Sequence, residues 1–167
     1  TNDRFLVAIL NSKLIWFFFF FFCVVRSGGY IEVKPQYFEQ IPLPEMKNTE
    51  KLDSATKTAI NLTSQFHDNK KTFLGLLIDN FGIRKISKKL ESFYELDFKK
   101  FLAELKKLKI KLSLSDQAEW KEFFEKYKTE INQLQSEISK TEHEIDRMVY
   151  NLYGLTDDEI KIVEESV

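Results

Sequence analysis

Twelve consecutive apolar residues, Leu14 to Val25, stand in a chain whose apolar positions otherwise fall at helical spacing. A helix that spans a bilayer needs roughly 20 such residues. The run is therefore too short for a membrane span and predicts a core helix covered on all sides. Asp3 suits the N-cap of a helix beginning near Arg4, and Leu6, Ile9, Leu10, Lys13 and Leu14 keep helical spacing into the run. The pattern predicts helix to about Phe22, with Asn11, Ser12 and Lys13 as a brief polar face; an aromatic run of this length also fits a strand. Gly28-Gly29 then marks a turn, and the alternation from Tyr30 to Lys34 predicts a strand. Pro35 to Gln40 reads as one helical turn with proline at its first position. Ile41 to Leu43 reads as an extended piece lying on the core.

Beyond Pro44 the chain has few helix breakers. A helix capped by Asn48 or Thr49 places Leu52, Ala55, Ala59, Leu62, Phe66, Asn69, Phe73, Leu76 and Asn80 at alternating three and four spacing. That is a heptad pattern, in which Asn69 can fix register, and Gly82 ends it. Between Arg84 and Leu112, Leu90, Phe93, Tyr94 and then Phe98, Phe101, Leu105 predict two shorter helices with a break near Leu96-Asp97. Ser115 is placed to cap a final long helix. Its heptad runs Trp120, Phe124, Tyr127, Ile131, Leu134, Ile138, Thr141, Ile145, Met148, Leu152. Gly154 stops it, and Thr156-Asp-Asp-Glu159 caps a short helix, Glu159 to Glu164. The expected fold is mainly α with a small α+β part. Long helices at about 49–81 and 116–153, joined by a helical insert at about 84–112, pack antiparallel as a coiled-coil-like bundle.

Composition bounds this picture. At 167 residues, 43% hydrophobic and 31% charged, the chain is globular and fits one domain or two small ones. Cys23 is the single cysteine, so neither an internal disulfide nor a cysteine-based zinc site is expected, and it reads as inert packing. No signal peptide is legible at the start and no initiator Met opens the chain. The expectation is a piece of a longer, cytoplasmic protein. Charge is uneven. Residues 48–112 carry fourteen basic and eight acidic side chains, whereas residues 113–167 carry six basic and fourteen acidic. The asymmetry either steers a polyanion toward the basic part or draws the two segments together in the fold.

Two strings carry a resemblance. Ala8-Ile-Leu-Asn-Ser-Lys-Leu14, the aromatic run, the glycine turn, Tyr37-Phe-Glu-Gln-Ile-Pro-Leu-Pro44 and a following long helix form the first. It resembles the end of the target-recognition (specificity) domain of DNA adenine methyltransferases and fused type IIG restriction-modification enzymes. Type I specificity subunits are more distant relatives. Glu144-Ile-Asp-Arg-Met-Val-Tyr150, Leu152-Tyr-Gly-Leu155 and Asp158 to Glu164 are similar to the C-termini of the same enzymes. The resemblance covers both ends of the chain. It implies that residues 1–47 end a DNA target-recognition domain and that residues 48–167 form a helical spacer or bundle. The implied role is sequence recognition and positioning on double-stranded DNA, without catalysis in this fragment. The parent would be a DNA adenine methyltransferase, with or without endonuclease activity. S-adenosylmethionine, and Mg where cleavage occurs, would bind in the upstream methyltransferase and nuclease domains. The fragment itself implies no cofactor, no metal and no membrane. The competing expectation is a helical protein-protein interaction or oligomerisation module, which the heptads support equally.

The residues themselves show no catalytic constellation. The Asp-Pro-Pro-Tyr or Asn-Pro-Pro-Tyr loop of amino-methyltransferases is absent, as is a glycine-rich cofactor loop. His67 and His143 fall at surface heptad positions, and Glu142, Glu144 and Asp146 read as a solvated acidic patch. Candidates for DNA contact are Arg26, Ser27, Gly28, Gly29 and Tyr30, which set a guanidinium, a hydroxyl and backbone amides around one turn. Lys13 and Lys34 flank them. The same turn also reads as an ordinary solvated hairpin loop. The lysines between Arg84 and Lys111 read either as phosphate contacts or as a solvated helical face.

Overall fold

The structure, a computed structural model, describes residues 3–28, 30–47 and 49–166, with Val25 described by its backbone alone. Asn48, one of the two expected caps, lies outside the described residues. The chain is mainly α with one small hairpin. Helices α1 (Asp3–Asn11) and α2 (Lys13–Phe22) come first, then strands β1 (Val24–Val25) and β2 (Ile31–Glu32). Helices α3 (Pro35–Phe38), α4 (Glu50–Phe81), α5 (Lys88–Glu91), α6 (Phe98–Lys107), α7 (Leu114–Tyr153) and α8 (Asp157–Ser166) follow. The strands pair antiparallel, Val24 opposite Glu32 and Val25 opposite Ile31.

The helix expected from Arg4 to Phe22 is in fact two, bent by 59° at Ser12. Ser12 sits in an extended conformation and caps α2: its hydroxyl accepts from the Ile15 amide and donates to the Ile9 carbonyl at 2.7 Å. A serine N-cap is worth about 1 kcal/mol and competes with continuation of the helix. The apolar run is not hidden either. Ile15, Phe19 and Cys23, spaced by four, are buried, while Trp16, Phe20, Phe21 and Phe22 remain 48–62% exposed. A helix turns one face to its core, and six consecutive phenylalanines necessarily cover every face. No single helix among the described residues is long and apolar enough to cross a membrane; α1 and α2 reach that length and composition only as a bent pair.

The chain divides into two compact units. One takes in α1 to α3, the hairpin, α4 up to Ile60, and α7 from Ser139 with α8. Its core joins Phe5 and Ile9 of α1, Ile15 and Phe19 of α2, Leu52 of α4, and Ile145 and Val149 of α7. Ile41 adds to it from the extended segment, which is pinned where the Tyr153 hydroxyl donates to the Pro42 carbonyl at 2.7 Å. The other unit takes in α4 from Asn61, α5, α6 and α7 to Ile138. Its centre is Phe73, which stacks on Phe93 at 3.7 Å between ring centroids and meets Phe101, Phe123 and Phe124 within 6.2 Å. Aromatic pairs of this kind add roughly 0.5–1.5 kcal/mol each beyond their burial.

In each unit α4 and α7 share the core in antiparallel order, early α4 with late α7 in the first and late α4 with early α7 in the second. Every heptad position expected on α7 is buried or half-buried. On α4 the seam drifts: Thr56 and Leu77 are buried, while Asn80 is exposed and its amide donates to the Leu76 carbonyl. A straight helix of 3.6 residues per turn slips about 20° per heptad against a 3.5 repeat, so the buried face moves along α4. The ends follow local chemistry. Gly82 and Gly154 take positive φ, 59° and 68°, where α4 and α7 stop. Thr156 and Glu159 form a reciprocal capping box at α8. Helix α7 starts two residues earlier than expected, because Ser113, not Ser115, exchanges hydrogen bonds with Asp116.

Ile131 is fully buried in the second unit, so Ile131→Asp is expected to lower stability by about 3–5 kcal/mol, the scale of an unpaired buried charge. Lys126→Ala, on the exposed face of α7, is expected to stay within about 0.5 kcal/mol of wild type. Lys128 is no such control, since its ammonium donates to the Leu96 carbonyl at 2.6 Å. Denaturant melts of the two variants check the register; equal midpoints would refute it.

Candidate nucleic-acid interface

The turn between β1 and β2 carries most of the residues singled out from sequence. The hairpin closes where the Arg26 amide donates to the Tyr30 carbonyl at 2.8 Å. Gly28 lies in the turn at φ +95°, and the Tyr30 ring passes over it, 3.4 Å from where a Cβ would stand. Only glycine takes that φ without strain. Arg26, Ser27, Gly28 and Tyr30 are all exposed, Tyr30 by 76%. Gly29 lies outside the described residues.

Glu32, which sequence reading passed over, sets the Arg26 guanidinium. Glu32 pairs across the strands with Val24, two residues before Arg26, so both side chains stand on one face of the hairpin. Its Oε2 accepts from Arg26 Nε at 2.7 Å and from an Nη at 2.5 Å. An arginine has five N–H donors, so three remain for a ligand. The signal was present in the sequence as opposite charges six residues apart around a glycine turn.

The two flanking lysines separate. Lys34 is exposed, at the N-cap of α3, with its carbonyl accepting from the Tyr37 amide. Lys13 is committed elsewhere: its ammonium donates to Glu164 of α8, and its backbone amide to Asp146 Oδ1 of α7 at 2.9 Å. The Tyr150 hydroxyl donates to the other Glu164 oxygen at 2.8 Å. Asp146 is thus no part of a solvated patch; it is 6% exposed. Burial pushes its carboxyl above the usual range, against the opposing pull of the Lys13 amide and ammonium. Burial works against ionisation of Glu164 as well, but its bonds to Lys13 and Tyr150 outweigh that and hold it low. Burial, then donation to Glu164, pushes the Tyr150 phenol up. The cluster clamps the start of the aromatic helix to α7 and α8.

His67 and His143 are exposed, and no group of three or more His, Cys, Asp or Glu among the described residues is arranged to hold a metal ion. Cys23 is buried, which raises its thiol pKa and disfavours the reactive thiolate.

These features define a mainly helical protein whose first unit bears an exposed, charge-ordered hairpin beside an aromatic helix. The chain belongs to the family described as "Domain of unknown function (DUF8810)", which matches residues 45–149. That match takes in α4, α5, α6 and most of α7 and stops short of the hairpin. No curated protein and no solved structure matches the chain.

Asp146→Asn keeps an oxygen to accept from the Lys13 amide and removes the buried charge. Because the folded pKa of Asp146 is raised, its contribution is fully present below its ordinary value of 3.8 and is lost as pH rises through the raised value. The variant is therefore expected to gain in melting temperature over wild type as pH rises from about 4 to 7. Asp146→Ala loses the acceptor and is expected to fall by roughly 1 kcal/mol near neutral pH. Parallel pH profiles for wild type and Asp146→Asn would refute the assignment.

Proposed function

We propose that this chain is a recognition and positioning module for double-stranded DNA within a restriction-modification enzyme, without catalysis of its own. The observation that carries the reading is the hairpin turn: an exposed guanidinium held by Glu32, with three donors unused, on a backbone closed by Arg26 and Tyr30. A guanidinium held in place can meet a guanine edge with two parallel bonds, and an exposed tyrosine or amide can meet phosphate. The exposed face of α2 supports the same reading. Trp16, Phe20, Phe21 and Phe22 form an aromatic surface of the kind that marks an interaction site. A hairpin of two-residue strands is also too small to be stable alone. In this reading both pack against the remainder of the recognition domain. S-adenosylmethionine and any Mg would belong to the methyltransferase and nuclease parts of the parent, and the setting would be cytoplasmic.

The same aromatic face favours a second reading, a protein-protein interaction module. The heptad seams favour it less, because α4 and α7 bury them within the chain.

Selection of binding sequences from a randomised duplex pool decides between the two. A preferred sequence is expected to emerge, and Arg26→Ala is expected to weaken binding by about 1–3 kcal/mol at one base position and relax the preference there. Lys34→Ala is expected to weaken all sequences alike. If the pool shows no enrichment, while Phe21→Ser abolishes self-association seen by sedimentation, the second reading holds.

A further inference from the structure

Residues 84–112 carry ten basic and four acidic side chains. Two of the ten cations are ion-paired there, Lys100 with Asp97 and Lys107 with Glu104; the other eight make no ion pair among the described residues. All ten are exposed. Between α5 and α6 the surface sinks into a hollow of about 560 Å³. Lys88 and Lys89 line it from α5 and Lys100 from α6, with Ser92, Leu96 and Ala103 also lining it.

Two acidic residues share the hollow. Glu95 is exposed. Glu104 is 8% exposed, and its carboxylate is held by Lys107 at 2.6 Å, with the Ser87 hydroxyl at 3.5 Å. The bond from Lys107 holds its carboxyl below the usual range despite burial, and the charge of Lys89 acts in the same direction. The Lys100–Asp97 pair is exposed and 3.3 Å long, and such pairs contribute little and exchange readily. The walls are fixed. Ser87 caps α5 and Asp97 caps α6. Lys128 and Asn132 of α7 bind the carbonyls of Leu96 and Tyr94 between them. Leu90, Phe93 and Phe101 beneath are fully buried. Flexible ammonium groups on a rigid concave base suit a phosphate as point charges and read no base.

We propose that the hollow between α5 and α6 is a sequence-independent phosphate-binding site for the backbone of double-stranded DNA. The choice of DNA as the source of the phosphate rests on the function proposed above.

The test is a binding titration of the whole chain against a labelled generic-sequence 30-base-pair duplex at several salt concentrations. Four proteins are compared: wild type, Arg26→Ala, the triple variant Lys88→Gln/Lys89→Gln/Lys100→Gln, and a control triple, Lys57→Gln/Lys71→Gln/Lys126→Gln. The control removes the same charge from exposed positions outside the hollow. Losing three phosphate contacts is expected to reduce the slope of log K against log salt by about 2–3, and the control by less than about 1. In selection from the randomised duplex pool, run on the same four proteins, the sequence preference of the hollow variant is expected to match wild type. Equal slopes for the two triple variants would overturn the site and leave the hairpin reading intact. A lysine-dependent slope with no effect of Arg26→Ala on sequence preference would support the site and overturn the hairpin reading. Absence of duplex binding would overturn the proposal, as would lysine-dependent binding to vesicles with anionic phospholipid in place of the duplex.

Discussion

The buried carboxylate of Asp146 fixes where the aromatic helix begins. It accepts the first amide of α2, that of Lys13, from across the core, while the Ser12 hydroxyl accepts the third, that of Ile15, from within the chain. Four amides at a helix start need partners, and these two acceptors define the break that would otherwise be one long helix. The ammonium of Lys13 then ties the same turn to Glu164, and Tyr150 closes the set. Burying Asp146 is unfavourable in itself, as the direction of its pKa records. What offsets it is the set of bonds that only this arrangement of α2, α7 and α8 makes.

The two units solve burial differently. The first packs aliphatic and aromatic side chains from four helices and leaves much of its aromatic helix uncovered. The second stacks aromatic rings around Phe73 and leaves its charge outside. In both, the groups proposed to meet DNA are exposed cations mounted on a packed base. The hairpin holds one guanidinium by a specific carboxylate, which suits directional bonding to a base edge. The hollow offers three ammonium groups, two of them outside any ion pair among the described residues, which suits a diffuse phosphate charge. The difference between arginine and lysine chemistry therefore matches the two kinds of contact proposed.

The helical class, the places where helices stop, and the register of α7 were legible because they depend on neighbours in sequence. Gly82, Gly154, the Thr156–Glu159 box and the three-and-four spacing from Trp120 to Leu152 are local signals, and the structure follows them. The capping serine of α7 was misplaced by two residues because Ser113 and Ser115 are both competent and only the bonds to Asp116 choose. On α4 the ideal heptad failed at Asn80, since nothing local keeps a straight helix in a 3.5 repeat.

Among the candidate residues, the turn itself could be read from Arg26 to Tyr30, because a glycine pair between alternating segments is a local statement. Tertiary structure decided the rest. Lys13 left the candidate set because Glu164, far along the chain, takes its charge. Glu32 entered it because strand pairing brings it to the face of Arg26. The apolar run specified a helix but not its burial: composition says that side chains are hydrophobic, and only the neighbouring elements determine which of them are covered. That is why Phe19 is in the core and Phe20, Phe21 and Phe22 are at the surface.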